Sequence, residues 1–283
     1  MVYATQLIFY LLFFDMPLTI EDMFVGRNLS APKIYIFALV TVLITLSGYL
    51  INDYFDCETD RHNDKSKLTP NLNLKLYFIS VFAGFVLALS LALSLGQPLL
   101  SLIYLGAVTL LYLYSANWKQ KVLIGNVVVA LFTAGVPLIL LYAEKEHLNI
   151  GVASTILMFG VFSFLISMTR EIIKDIEDVE GDIVAGYKTL PIVYGIDRAR
   201  IYAGFFTLSL IVILLYWEYS LSDVPGLGHM LVLILLYVPL VYLLISLIRK
   251  KSNWGSLSRL CKLIMIFGLL LLILFKCYPL IIN

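Results

Sequence analysis

Two stretches of this sequence carry carboxylates at a spacing that can hold a cation. The first reads Asn52-Asp53-Tyr54-Phe55-Asp56-Cys57-Glu58-Thr59-Asp60. The second reads Arg170-Glu171-Ile172-Ile173-Lys174-Asp175-Ile176-Glu177-Asp178-Val179-Glu180-Gly181-Asp182. Both contain Asp-x-x-Asp-x-x-x-Asp, with offsets 0, 3 and 7 in each. On a helix advancing about 100° per residue, Asp53, Asp56 and Asp60 fall within about 60° of one face, and Asn52 widens the arc to about 100°. Asp175, Asp178 and Asp182 make the same arc, with Glu171 inside it and Lys174 at its edge, while Ile172, Ile176 and Val179 form a separate stripe suited to packing. Stacked carboxylates repel one another along a helix, so such a face calls for a bound cation. Carboxylate oxygens with an Asn carbonyl are hard donors that suit Mg²⁺ and not Zn²⁺. The expected Mg²⁺ ligands are Asn52, Asp53, Asp56, Asp60, Asp175, Asp178 and Asp182, and the carboxylates expected to serve catalysis are Asp56, Asp60, Asp178 and Asp182.

Mg²⁺ is usually shared with substrate phosphates instead of being caged by protein alone. Arg61, Lys65, Lys67, Lys119, Lys121, Lys174 and Lys188 lie in the same segments as the acids or in the short one between them. Arg61, Lys119, Lys174 and Lys188 are the expected diphosphate contacts. Acidic helices holding Mg²⁺ among lysines and arginines describe a diphosphate clamp, and an apolar bundle beneath it could hold a long hydrocarbon chain. A polyprenyl diphosphate combines the two.

The elements that must position these residues are membrane spans. The 283 residues are 61% hydrophobic and 14% charged, with a mean hydropathy of +0.94. Soluble chains run at about 45–50% apolar and about 25% charged, so the excess apolar surface must face lipid. Eight apolar runs approach the length of about 20 residues that a bilayer core requires: 33–51, 75–95, 98–116, 122–143, 151–169, 199–217, 229–248 and 260–282. The stretch from Val2 to Phe14 is short for a span and is expected to be a shortened first helix, which brings the total to nine. The fold class expected is therefore all-α, a polytopic membrane bundle, with residues 1–283 forming one domain. No charged n-region precedes the first apolar run, so no cleaved secretory signal is expected.

Charge sorts along this pattern. The segments 52–75, 117–121, 170–200 and 249–262 hold 16 of the 20 Lys and Arg residues, leaving Arg27, Lys33, Lys145 and Lys276 on the alternate side. By the positive-inside rule the rich segments are cytoplasmic, which puts both acidic motifs on the cytoplasmic side of the cell membrane and the C-terminus outside. A net charge of +1 supplies no basic field for nucleic acid. Cys57, Cys261 and Cys277 have neither a disulfide nor a metal-ligand spacing.

One acidic run at the end of a span would read as a solvated interface. Two with the same offsets, four spans apart, suggest a duplicated four-helix unit whose symmetry would set the motifs face to face across a central cavity. At these residues the sequence resembles the UbiA superfamily of intramembrane prenyltransferases. Asn52 to Asp60 resembles its first Asp-rich motif. Arg170 to Asp182, followed by Gly186-Tyr187-Lys188-Thr189-Leu190-Pro191 and Tyr194-Gly195, resembles its second, and Leu123-Ile124-Gly125-Asn126 looks like a further signature. The resemblance implies nine helices around a cavity and two Mg²⁺ ions bridging the Asp motifs to a prenyl diphosphate. The string from Arg170 to Asp182 is most similar to the branch that prenylates a glycerol-phosphate lipid. Two features depart from the family pattern. No Arg precedes Arg27, where members open with an Arg-x-x-Asn-like element, which agrees with a shortened or truncated start. After Asp60 the chain continues Arg61-His62-Asn63-Asp64-Lys65-Ser66 in place of Asn-Arg-Pro.

Among the remaining polar residues, Tyr112 and Tyr114 read as interfacial belt residues, with shielding of a carbocation as the alternative. His62, His147 and His229 are isolated in sequence and expected to be solvated. Gly186 and Thr189 are expected to shape a loop, and Lys262 and Lys276 to snorkel. The bases Arg61, Lys65, Lys119, Arg170, Lys174 and Lys188 exceed what one diphosphate needs and tilt the acceptor towards a phosphorylated one; the resemblance implies geranylgeranylglyceryl phosphate, with geranylgeranyl diphosphate as donor. The alternative is an aromatic acceptor of quinone synthesis: 4-hydroxybenzoate, homogentisate or dihydroxynaphthoate. A divalent-cation transporter would place its acids near the midplane, where these spans are nearly uncharged. A CDP-alcohol phosphotransferase would carry an Asp-Gly-x-x-Ala-Arg element that is absent.

Overall fold

Apolar stretches bounded by proline, glycine and short polar segments fold into helices throughout a computed structural model that describes residues 2–15, 28–57, 68–220, 226–249 and 253–282. Every regular element among the described residues is helical. In chain order they are α1 (Val2–Tyr10), α2 (Ala31–Phe55), α3 (Pro70–Ser94), α4 (Leu99–Leu113), α5 (Ile124–Ala143), α6 (Ile150–Glu177), α7 (Val179–Val184), α8 (Leu190–Tyr194), α9 (Ile196–Ser220), α10 (Gly226–Val232), α11 (Val238–Ile248) and α12 (Trp254–Ile282). Among the described residues eight segments are long and apolar enough to cross a bilayer, in register with the eight runs read from the sequence, and the N-terminal apolar helix Ala4–Phe14 is shorter. The protein is an integral membrane protein with an all-α bundle architecture.

The boundaries follow local chemistry. Proline at the first helical position starts α3 after the extended Thr69, because its missing N–H is one that no helix could satisfy there. α3 runs out at Gly96, whose φ of +65° only glycine adopts cheaply. Among the described residues three π turns interrupt or extend the helices: Leu11–Asp15, Tyr114–Trp118 and Leu233–Tyr237. The last of these precedes Pro239, so the wider turn accommodates a ring that would clash with the carbonyl four residues back in a regular helix.

The residues group into two compact units, Met1–Lys119 with Val136–Ile156, and Gln120–Gly135 with Leu157–Asn283. In the first, α2 packs on α3 and α4. Small residues allow the close approach: a methyl group on Gly84 would sit 3.1 Å from Ile44, and one on Gly48 would sit 3.0 Å from Leu111. Leu50, Ile51 and Tyr77 form a buried cluster at the motif end of this unit. Polar ties are buried and paired. Gln6 donates to Thr41 at 3.0 Å and to the Val136 carbonyl at 3.1 Å, and Thr41 meets the Tyr104 hydroxyl at 2.9 Å. Glu144 is wholly buried, and its carboxylate accepts the backbone N–H groups of Asn28 and Leu29 at 2.8 and 2.9 Å, anchoring the entry to α2. A buried carboxylate without such donors would be costly.

In the second unit α6, α9, α11 and α12 contribute Ile166, Ile172, Leu210, Leu240 and Ile264 to one apolar core. Ile172 and Ile176 are buried there as the sequence predicts, and Val179 is half-buried. Arg200, at the start of α9, donates its Nε to the Leu247 carbonyl at 2.7 Å and also reaches the Ile248 carbonyl. It thereby caps α11 with positive charge at the negative end of that helix. This base of the 170–200 segment serves the scaffold. His229 is not merely solvated: its Nδ1 lies 2.6 Å from Glu218, whose other oxygen accepts from the Tyr237 hydroxyl at 2.9 Å, so α9 and the α10 hairpin arm are joined by a polar triad invisible to sequence spacing.

Candidate active site

Each acidic motif is described within its own unit. In the first unit α2 carries the motif to its last turn. Asn52 and Asp53 are helical, and Asp56 closes the helix as its C-cap at φ −88°, ψ 0°, its N–H still bonded to the Asn52 carbonyl at 2.9 Å. Asn52 Nδ2 donates to Asp56 Oδ2 at 2.8 Å, the i,i+4 geometry predicted from spacing. Lys119 arrives from the other side of the unit. The π turn Tyr114–Trp118 ends α4, with the Lys119 N–H on the Tyr114 carbonyl at 3.0 Å, and the wider turn sets the register of Lys119. Its Nζ makes an ion pair with Asp56 Oδ1 and lies 3.4 Å from Asn52 Oδ1. The ammonium is mostly buried, so this pair is shielded from solvent far better than a surface salt bridge. Tyr54, Phe55 and Tyr112 form an edge-to-face aromatic run beside it. Asp53 is exposed. Asp60 and Arg61 lie outside the described residues.

In the second unit the expected helix is interrupted at one residue of the motif. α6 ends at Glu177, but the Asp178 N–H still bonds the Lys174 carbonyl and the Asp182 N–H the Asp178 carbonyl, both at 2.9 Å. Asp178 takes φ −93°, ψ 6°, and the six-residue α7 carries Asp182. The local sequence explains the interruption, since Asp175, Asp178 and Asp182 repel at spacings of three and four. Asp178 and Lys174 are exposed and Asp182 is half-buried. Glu171 is buried and paired with Arg170. The chain then turns at Gly186, with φ +71°, and the Lys188 N–H bonds the Gln120 carbonyl at 2.9 Å, which leaves the exposed Lys188 side chain at the end of a fastened loop. Thr189 and Gly186 shape this loop as predicted.

Asp175 gains a partner that spacing alone did not assign. Asn126, in the first turn of α5, donates Nδ2 to Asp175 Oδ2 at 2.8 Å. It is buried, and it follows the one non-glycine residue with positive φ among the described residues, Leu123 at 59°. The available sequence signal was a lone amide in the first turn of an otherwise apolar helix.

At the end of α2 the Asp56 carboxylate meets the Asn52 carboxamide, hard oxygen donors of the kind a divalent cation takes, and the Lys119 ammonium already occupies both. Among the described residues no three His, Cys, Asp or Glu side chains are grouped to hold an ion. Cys57 and Cys261 are free and buried, outside any ligand set.

The UbiA prenyltransferase family pattern matches residues 23–278, which is most of the chain. The chain belongs to this family. Among curated relatives, digeranylgeranylglyceryl phosphate synthase of Pyrococcus abyssi is 38% identical over 179 residues, 62% of each chain. The enzyme of the same name from Thermococcus gammatolerans is 37% identical over 187 residues, 65% of this chain and 66% of that one. The chain thus spans just under two thirds of these relatives' lengths. A solved structure of digeranylgeranylglyceryl phosphate synthase superposes with a TM-score of 0.71 at 24% identity, covering 97% of this chain and 92% of the other, which establishes a shared UbiA fold.

Proposed function

We propose that this chain transfers a geranylgeranyl group from geranylgeranyl diphosphate to geranylgeranylglyceryl phosphate, forming an ether bond of a membrane lipid. The observation that carries the reading is the Lys119–Asp56–Asn52 cluster at the end of a span, where a cation, a carboxylate and a carboxamide meet within the first motif. Lys119, Lys174, Lys188 and Arg61 bind the diphosphate. Asn52, Asp53, Asp56, Asp60, Asp175, Asp178 and Asp182 would hold Mg²⁺, which when bound would supply positive charge to the departing diphosphate. In the transfer the C1–O bond of the donor breaks, the diphosphate departs with the electron pair, and the acceptor hydroxyl oxygen bonds to C1 and releases its proton. Tyr54, Phe55 and Tyr112 offer π faces that favour an allylic cation over water. The relatives named for this reaction support the acceptor, as does the surplus of bases at the two motifs. The site faces the cytoplasm at the cell membrane, the C-terminus lies outside, and one domain spanning residues 1–283 carries the activity.

The test is product analysis with purified protein, geranylgeranyl diphosphate and Mg²⁺ across a panel of geranylgeranylglyceryl phosphate, 4-hydroxybenzoate, homogentisate and dihydroxynaphthoate. The lipid phosphate is expected to be consumed fastest, and EDTA is expected to abolish turnover. Exclusive use of an aromatic acceptor would overturn the lipid assignment. Full activity in EDTA would overturn the metal assignment.

A further inference from the structure

The two acidic motifs differ at one position in a way that their shared Asp spacing hides. In the first, Asn52 directly precedes the leading Asp53 and braces Asp56 from one turn back on the same helix. In the second the corresponding position is Lys174, exposed and unable to accept or offer a carboxamide. Asn126 supplies a carboxamide from a different helix, 49 residues earlier in the chain, and gives it to the leading Asp175, the counterpart of Asp53, at an Nδ2-to-Oδ2 distance of 2.8 Å. Its side chain is 6% exposed, and the backbone that delivers it passes through Leu123 in the left-handed region, a conformation unfavourable for a leucine. Strain of that kind persists where the surroundings hold it in place. Here the Leu123 side chain packs on the core and Val127 closes a regular turn onto the Leu123 carbonyl at 2.9 Å, which fixes where Asn126 projects.

We propose that Asn126 is a positioning residue of the second motif. It holds Asp175 in one rotamer by engaging Oδ2, so that Oδ1 is presented as a single-oxygen ligand to the divalent cation. An amide in the role suits a metal site better than a lysine or arginine would, since it orders the carboxylate without neutralising it, and partners of ligating carboxylates tune affinity in this way. The inference rests on the reading of the Asp motifs as Mg²⁺ sites.

The decisive measurement is Mn²⁺ binding to the full-length protein in detergent, followed by electron paramagnetic resonance and free of any need for turnover. Asn126→Leu, which removes the donor and keeps the γ-branched outline, is expected to weaken Mn²⁺ binding about 10- to 100-fold. In an Asp175→Ala background the same substitution is expected to have no further effect, because its partner is gone. Asn126→Ser, too short to span the gap, repeats the cycle should the leucine variant not fold. Asn126→Leu binding Mn²⁺ as tightly as the parent, or equal losses in both backgrounds, would overturn the proposal and leave the metal assignment standing. Parent protein that binds no Mn²⁺ would overturn both.

Discussion

At the scale of single residues, the first motif is organised by one lysine. Lys119 pairs with Asp56 and touches Asn52, and its ammonium is mostly buried, so removing it would take the paired charge away from a carboxylate that is only partly solvated. Lys119→Ala and Asp56→Ala are each expected to lower kcat by about 10²–10³, the range for losing one preorganised charge at a developing anion. The double variant should lose less than the product of the two, since either change breaks the same pair. Steady-state kinetics on the three proteins decides it: multiplicative losses would mean that the residues act separately.

At the scale of elements, close contacts inside the second unit decide which small residues can be changed. A methyl group added at Gly268 of α12 would sit 2.7 Å from the ring of Phe162 in α6, a buried aromatic with no room to turn. Overpacking of this kind costs about 1–3 kcal/mol. At Gly255 the nearest atom, at 2.6 Å, is the carboxylate tip of Glu177, which is exposed and free to swing away. Gly268→Ala is therefore expected to lower the melting temperature in detergent and Gly255→Ala to leave it unchanged. Equal effects would show that helix propensity, rather than the α6–α12 contact, governs these positions.

At the scale of the whole molecule, the positive-inside rule applied to the basic residues predicts an orientation. Sixteen of the 20 Lys and Arg residues fall in alternate connections, and the two motifs share that side. In a variant lacking Cys57, Cys261 and Cys277, a single cysteine at the exposed position Glu146 is expected to react with a membrane-impermeant maleimide from outside intact cells. One at the exposed position Lys121 is expected to react only after the membrane is opened. The reverse pattern would invert the topology and place the acidic motifs outside.

The spans, their order and the two Asp motifs were all legible in the sequence, because hydropathy over a bilayer's width and the spacing of residues along one helix are local properties of the chain. The Asn52–Asp56 bond belongs to this class: both partners lie on one turn of α2. The tertiary structure decided the rest. Lys119 reaches Asp56 across 63 residues and Asn126 reaches Asp175 across 49, and the Glu218–His229–Tyr237 triad joins neighbouring elements of the second unit. The one-residue interruption at Asp178 lies between these cases, since the repelling acids around it are local, but a regular 3.6-residue projection does not mark it. Periodicity states which residues share a face of one helix. Which side chain of another helix meets that face depends on how the helices pack, and packing is settled by the whole set of side chains between them.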